Sequence, residues 1–469
     1  MDILIFLFAI AALVWMIPVI QSGRLIVIAM LVLVVGTVFG PSFFAIDGPI
    51  QLSIDRLLWF AVFGLAILGC RLGYTKFPQL TRLDWLVVGI VGWFLVSALR
   101  GGPVPPGSSP VARWLFYIVM PAGMYVIARI VELRGRDVRL MVIGSMCLSL
   151  YLAVTAIFEI SGLHAFVFPK FIVDGKVWEF FGRGRGPLLN PSGNGVVMSI
   201  GFASALISYI YAERRKKLLY AAISVMILVG IYATLTRSAW MGAACVIAIV
   251  ALVHSPRWVR VLGLVSVVFL GGIIVSGAKD QLIRLKRDKN LTAADAEKSV
   301  KLRPLLAIIA FEMFKDQPII GHGYGHYFGN NASYHSDRTY NLPLEQARSY
   351  AQHNVLLSVL VDTGLIGLSL FVSWLVMLLG IGWRLARQTA LQSETRWVGL
   401  LFLGTTLSYL CNGMFQDVMI IPMVHMFLFF LAGVLVNVYQ RGLATASESA
   451  RQPAPWAAEQ ILAPAQGNG

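Results

Sequence analysis

At 469 residues, with 58% hydrophobic and 13% charged side chains, the chain is far too apolar for a water-soluble protein of its length. A surplus of 38 Lys+Arg over 23 Asp+Glu, net +15, raises the question of nucleic acid. In a chain of recurring apolar segments such basicity reports membrane orientation first, and no nucleic-acid partner is expected.

Crossing a bilayer takes about 20 consecutive apolar residues, and by that criterion the chain holds about 12–13 such segments. They centre near Ala11, Val32, Val62, Val91, Tyr117, Leu150, Ser204, Met226, Ile247, Val267, Leu365, Thr405 and Phe427. The fold class is therefore all-α: a polytopic membrane protein with one large extracytoplasmic loop containing short helices. The first segment begins with Asp2 instead of a basic run and lacks a small-residue cleavage site, so it reads as a retained helix. Along the chain the expected units are N-terminal membrane helices (1–161), a short outer loop (162–190) and central helices (191–276). A large outer loop (277–350), C-terminal helices (351–440) and a disordered cytoplasmic tail (441–469) complete the list.

Basic connections alternate with poorer ones. Arg71/Lys76/Arg82, Arg129–Arg139, Arg214–Lys217, Arg257/Arg260 and Arg384–Arg396 fall on one side. The turns near Asp47, Gly101–Pro110 and Arg237 fall on the other. The positive-inside rule makes the first set cytoplasmic and puts both loops outside. Cys70, Cys147, Cys245 and Cys411 lie in or at the ends of apolar segments with no metal-like spacing, and read as small core residues.

Chemistry is expected on the outward side. Arg237, in Leu235-Thr236-Arg237-Ser238, sits between two apolar helices. There a cation is costly unless it lines a wet cavity or snorkels to headgroups, and its planar fork suits a phosphate. Arg183-Gly184-Arg185-Gly186 before Asn190-Pro191 is either a phosphate cradle or a basic turn at the lipid surface. In the large loop, Arg303 precedes an apolar helix with Pro304 in its first turn. Then comes Pro318-Ile319-Ile320-Gly321-His322-Gly323-Tyr324-Gly325-His326, whose glycines suit a tight turn or a ligand. His322 and His326 have i, i+4 spacing, but the glycines between them argue against a helical metal pair, and no metal site is expected. His353, followed by Asn354 at the start of the next span, is a candidate proton acceptor or an interfacial cap. No phosphate-binding loop, dinucleotide fingerprint or nucleophilic serine motif occurs, and no cofactor is expected.

The succession Arg183-Gly184-Arg185-Gly186, Leu235-Thr236-Arg237-Ser238, Arg303, Pro318-Ile319-Ile320-Gly321, Gln352-His353-Asn354 and Gly364-Leu365-Ile366-Gly367 resembles the O-antigen ligase and polymerase superfamily of bacterial envelope glycan transferases. The resemblance covers about 182–370; the first 160 residues share only hydropathy. It implies metal-independent transfer of a glycan from an undecaprenyl-diphosphate carrier to an acceptor hydroxyl, on lipid A–core or a growing polysaccharide. The location implied is the bacterial cytoplasmic (inner) membrane, with the site facing the periplasm. It assigns catalytic roles to Arg237, Arg303 and His353. Arg183, Arg185, His322, Tyr324, His326 and Asn354 are then candidate substrate-binding residues; Tyr324 and Tyr327 either stack on sugars or belong to the interfacial aromatic belt, and Trp178 is read as a belt residue. A repeat-unit polymerase is the alternative within the superfamily. A lipid or polysaccharide transporter is the alternative outside it, weakened by the lack of an internal repeat.

Overall fold

A computed structural model describes residues 25–46, 51–104, 108–261, 293–336, 339–389 and 391–451. The expected spans near Ala11 and Val267, the first part of the large loop (277–292) and the end of the tail (452–469) lie outside the described residues.

Twelve principal helices are described: α1 Leu25–Val38, α2 Ile54–Arg71, α3 Arg82–Arg100, α4 Pro110–Ile130, α5 Gly135–Ile160, α6 Pro191–Tyr211, α7 Arg214–Ala233, α8 Arg237–His254, α9 Ala293–Asp316, α10 Val355–Arg387, α11 Ser393–Gly413 and α12 Pro422–Arg451. Strand structure among the described residues is limited to one hairpin pairing Ala45–Ile46 with Leu52–Ser53. Among the described residues, eight helices are long and apolar enough to cross a membrane. Every expected span centre within the described residues falls on a helix. The chain is an all-α, multi-pass membrane protein.

Burial separates the helices by position. The apolar part of α12 is 83% buried and that of α6 78%, whereas α7 is only 28% buried, so α12 and α6 form the axis and α7 the rim. Axis helices carry polar side chains that bind backbone instead of water. Asn437 on α12 donates to the carbonyls of Ala128, Arg129 and Val131, closing the end of α4. Arg129 pairs with Asp84 at 2.9 Å, and Tyr125 donates to the same carboxylate. A buried pair of this kind fixes helix register more than it adds stability.

Connections 101–104, 161–190, 234–236 and 414–421, together with the segment preceding α10, meet at one end of the bundle. The basic turns around Arg134, Arg214–Lys217 and Arg387 lie at the other. At the first end α10 is broken. Gly364 has φ 67° and ψ −168°, a conformation closed to other residues, and the break frees backbone groups that hydrocarbon cannot solvate. The glycine-rich turn satisfies them. His322 N donates to Val361 O (2.8 Å) and Gly323 N to Asp362 O (2.9 Å). In return Leu365 N donates to Pro318 O (2.9 Å) and Ile366 N to Ile319 O (3.3 Å). From α3, Trp93 Nε1 donates to Thr363 O and Ser97 Oγ to Asp362 O. The two motifs Pro-Ile-Ile-Gly and Gly-Leu-Ile-Gly are thus two halves of one backbone contact. A β-carbon on Gly321 would lie 2.5 Å from Gly364 N, so the approach requires glycine on both sides.

Two expectations are corrected. The helix carrying Arg303 starts at Ala293, so Pro304 lies inside it and costs a hydrogen bond there. Packing carries the helix through that proline: Leu302, Leu305, Leu306 and Ile309 pack with Val361 and Leu357 of α10. The last helix also continues past Arg441, where the sequence suggests a disordered tail.

Candidate functional site

Each of three sequence-distant residues owes its place to a different local device. Arg237 is the first residue of α8, reached through Leu235, which adopts the left-handed conformation at φ 49°. Arg183 holds that turn by donating to Thr236 Oγ1 (2.5 Å) and to the carbonyls of Thr234 and Leu235 (both 3.3 Å). His353 is also left-handed, at φ 44°, and lies one residue before the cap of α10. Asn354 caps that helix, its Oδ1 accepting from the amides of Leu356 and Leu357 at 2.9 and 3.1 Å. Arg303 comes from α9, whose packing on the first turns of α10 sets its height, with its guanidinium 5.2 Å from the Phe415 ring centroid.

Electrostatics link the three. Desolvation comes first, then the charge of Arg303, in holding the His353 imidazole below the usual histidine range. Desolvation, then the charge of Arg237, likewise lowers Arg303, although much of that side chain's surface is open. Arg303 is thus within electrostatic reach of both Arg237, at the start of α8, and His353, beside the start of α10. Helix starts carry partial positive charge, so the field here favours an anion.

The remaining sequence candidates divide. Arg183 is half-buried and steadies the Arg237 turn. Arg185 corrects its expectation: it is fully buried and donates to the carbonyls of Ile172, Asp174, Val177 and Glu179. Glu159 accepts from the amides of Arg185 and Gly186 and fastens the same turn. A guanidinium so committed organises the 170–186 loop and presents nothing to a ligand in this conformation. Tyr324 is also buried, 2% exposed, packed on Phe94 at 5.0 Å. His326 is buried with Nδ1 3.1 Å from Tyr324 O, and His322 Nε2 lies 2.7 Å from Met313 O. These three fix the glycine-rich turn. Asn354 spends its oxygen on the cap and donates through Nδ2 to Met414 O at 3.3 Å. Tyr327 is buried, whereas Trp178 on the 161–190 connection is largely exposed.

Sequence reasoning missed a second polar group beneath this surface. Arg113 on α4 lies within electrostatic reach of Asp362 on α10 and Asp417 in the 414–421 connection, and 5.3 Å from the Tyr324 ring centroid. Asp417 accepts from Ser358 Oγ at 2.8 Å and from Met419 N at 3.1 Å. Asp362 accepts from Gly325 N at 3.2 Å. The available signal was an arginine and an aspartate inside otherwise apolar spans, which calls for a partner. Only the fold could say that they lie within electrostatic reach of one another.

Among the described residues, no three His, Cys, Asp or Glu side chains gather closely enough to hold a metal ion. A family model described as O-antigen ligase matches residues 222–372, a stretch that runs from α7 to the first half of α10 and contains Arg237, Arg303 and His353. No curated protein matches the chain significantly.

Proposed function

We propose, on the premise that this chain belongs to the O-antigen ligase and polymerase superfamily through residues 222–372, that it moves a glycan from an undecaprenyl-diphosphate carrier to an acceptor hydroxyl. The acceptor is lipid A–core or a growing polysaccharide, and the site faces the periplasm from the inner membrane. The observation that supports this reading is the convergence of Arg237, Arg303 and His353 on two helix starts at one end of the bundle, opposite the basic turns.

A glycosyl diphosphate needs little covalent help once charge on its leaving group is stabilised. In this mechanism Arg237 and Arg303 face the diphosphate, where preorganised cations act without reorganisation at the moment of reaction. Arg303, stacked on Phe415, has a fixed direction. His353, whose pKa is lowered by desolvation and then by the adjacent Arg303 charge, accepts or orients the proton of the attacking hydroxyl. The acceptor oxygen attacks the anomeric carbon, the carbon–oxygen bond to the diphosphate breaks, and undecaprenyl diphosphate leaves with inversion. No metal is required in this scheme. Arg183 and Asn354 act behind the surface by holding the two turns, and Arg185 holds the outer loop.

The test is an in vitro reaction of the purified protein with an undecaprenyl-diphosphate-linked oligosaccharide, in EDTA, with lipid A–core or with no added acceptor. Attachment to lipid A–core identifies a ligase, and a ladder of multiples without it identifies a polymerase. Arg237→Ala should reduce turnover by about 100-fold or more, the size of one lost transition-state donor. Donor binding without turnover in either arm would favour transport instead, and loss of turnover in EDTA would end the metal-free scheme.

A further inference from the structure

A glycan site needs a surface for the apolar face of a sugar ring as well as cations for its phosphate. The tyrosine expected for that part, Tyr324, is buried, and so is Tyr327. Phe415 lies in the site, but its face is occupied by the Arg303 guanidinium. Trp178 is exposed but on the 161–190 connection, with no described contact to the three central residues. Tyr350 differs from all of these. It is 38% exposed, and its ring centroid lies 6.2 Å from that of His353 at an interplanar angle of 46°. A backbone hydrogen bond from Tyr350 N to Ala347 O (3.0 Å) fixes the turn that presents it. Ala347 is itself fully buried in the cluster formed by α9 and the first turns of α10, so the platform is built on the element that positions Arg303.

We propose that Tyr350 is the carbohydrate platform of this site, packing against the pyranose ring of the acceptor whose hydroxyl is presented to His353. The inference rests on the transfer reading above and adds a substrate contact to it. The ring's side toward His353 places it with the acceptor, since the two arginines define the diphosphate side. An aromatic face binds the C–H surface of a sugar without reading its hydroxyls, so Tyr350 contributes affinity for hexopyranoses in general. The tyrosine hydroxyl is not needed for that contact.

The test compares full-length wild type, Tyr350→Phe and Tyr350→Ala in detergent, with the lipid-linked oligosaccharide as donor and either lipid A–core or free oligosaccharide as acceptor. Tyr350→Ala should raise the acceptor KM about three- to tenfold, the scale of one aromatic contact, with kcat and donor KM within about twofold. Tyr350→Phe should match wild type. An unchanged acceptor KM in Tyr350→Ala, or a fall in kcat alone, overturns the platform. Saturation-transfer NMR with the free oligosaccharide reads the contact without turnover: sugar-ring signals should appear with wild type and Tyr350→Phe and fall with Tyr350→Ala. No wild-type signal, or one unchanged in Tyr350→Ala, also overturns it. A signal that behaves as expected without wild-type turnover would overturn the transfer reading and leave a glycan-binding surface.

Discussion

Two groups of charged residues lie one above the other at the same end of the bundle, and they are built on opposite principles. In the deeper one, Arg113 is set against two carboxylates, Asp362 and Asp417, from separate parts of the chain. In the upper one, the charges acting on Arg303 and His353 are cations, Arg237 on the first and Arg303 on the second. Opposite charges under a broken helix serve the fold, because each lies in the field of the other. Neighbouring like charges oppose folding, and under the proposed function they are the part that meets the diphosphate. The contrast shows why burial of an arginine says little about its role until its neighbours are known.

Breaking the deeper cluster should have the larger effect. Arg113→Met leaves two buried carboxylates without their cation and should cost about 3–5 kcal/mol, read as a large fall in thermal stability in detergent. Adding Asp362→Asn and Asp417→Asn should restore much of that loss; if the triple variant is no more stable than the single one, the cluster is not held by charge. In the upper cluster Arg303→Gln removes a cation from a group of cations. It should leave the melting temperature within a few degrees while lowering transfer by about 100-fold. A variant that instead unfolds would place Arg303 among the structural arginines.

A pH profile sharpens the comparison. Desolvation and the Arg303 charge both lower the His353 pKa, so its neutral, proton-accepting form persists below the ordinary histidine value. Transfer should therefore hold as pH falls through about 6.5 and decline only at lower pH. In Arg303→Gln the residual turnover should decline at higher pH than in wild type, because one of the two depressing causes is gone. An acid limb that does not move between the two would remove His353 from the reaction. The smallest effect is expected at Trp178, which is 81% exposed: Trp178→Ala should change stability by under about 0.5 kcal/mol and leave transfer unaltered.

Much of this architecture is a local property of the chain. An apolar run of membrane length becomes a helix wherever it lies, because lipid offers its backbone no other partner. Thus α3 to α8, α10 and α12 were legible before any fold was known. Caps are local too, since they join residues two or three apart, yet the sequence reading put the capping alternative at His353 and the structure puts the cap at Asn354. The start of α9 was not legible either, because Pro304 imitates a first-turn proline and tertiary packing carries the helix through it. Arg183 and Arg185 are two residues apart in one motif and nothing local distinguishes them, yet one steadies the Arg237 turn while the other is enclosed by carbonyls. Likewise the sequence marked Tyr324 as an aromatic in a glycine-rich turn, and the fold buried it while leaving Tyr350 beside His353. The sequence alone determined that this is a helical membrane protein and which residue types its chemistry draws on. Tertiary structure decided which of them share a surface, because charge pairing, desolvation and the docking of the glycine-rich turn on the broken helix act between segments that only folding brings together.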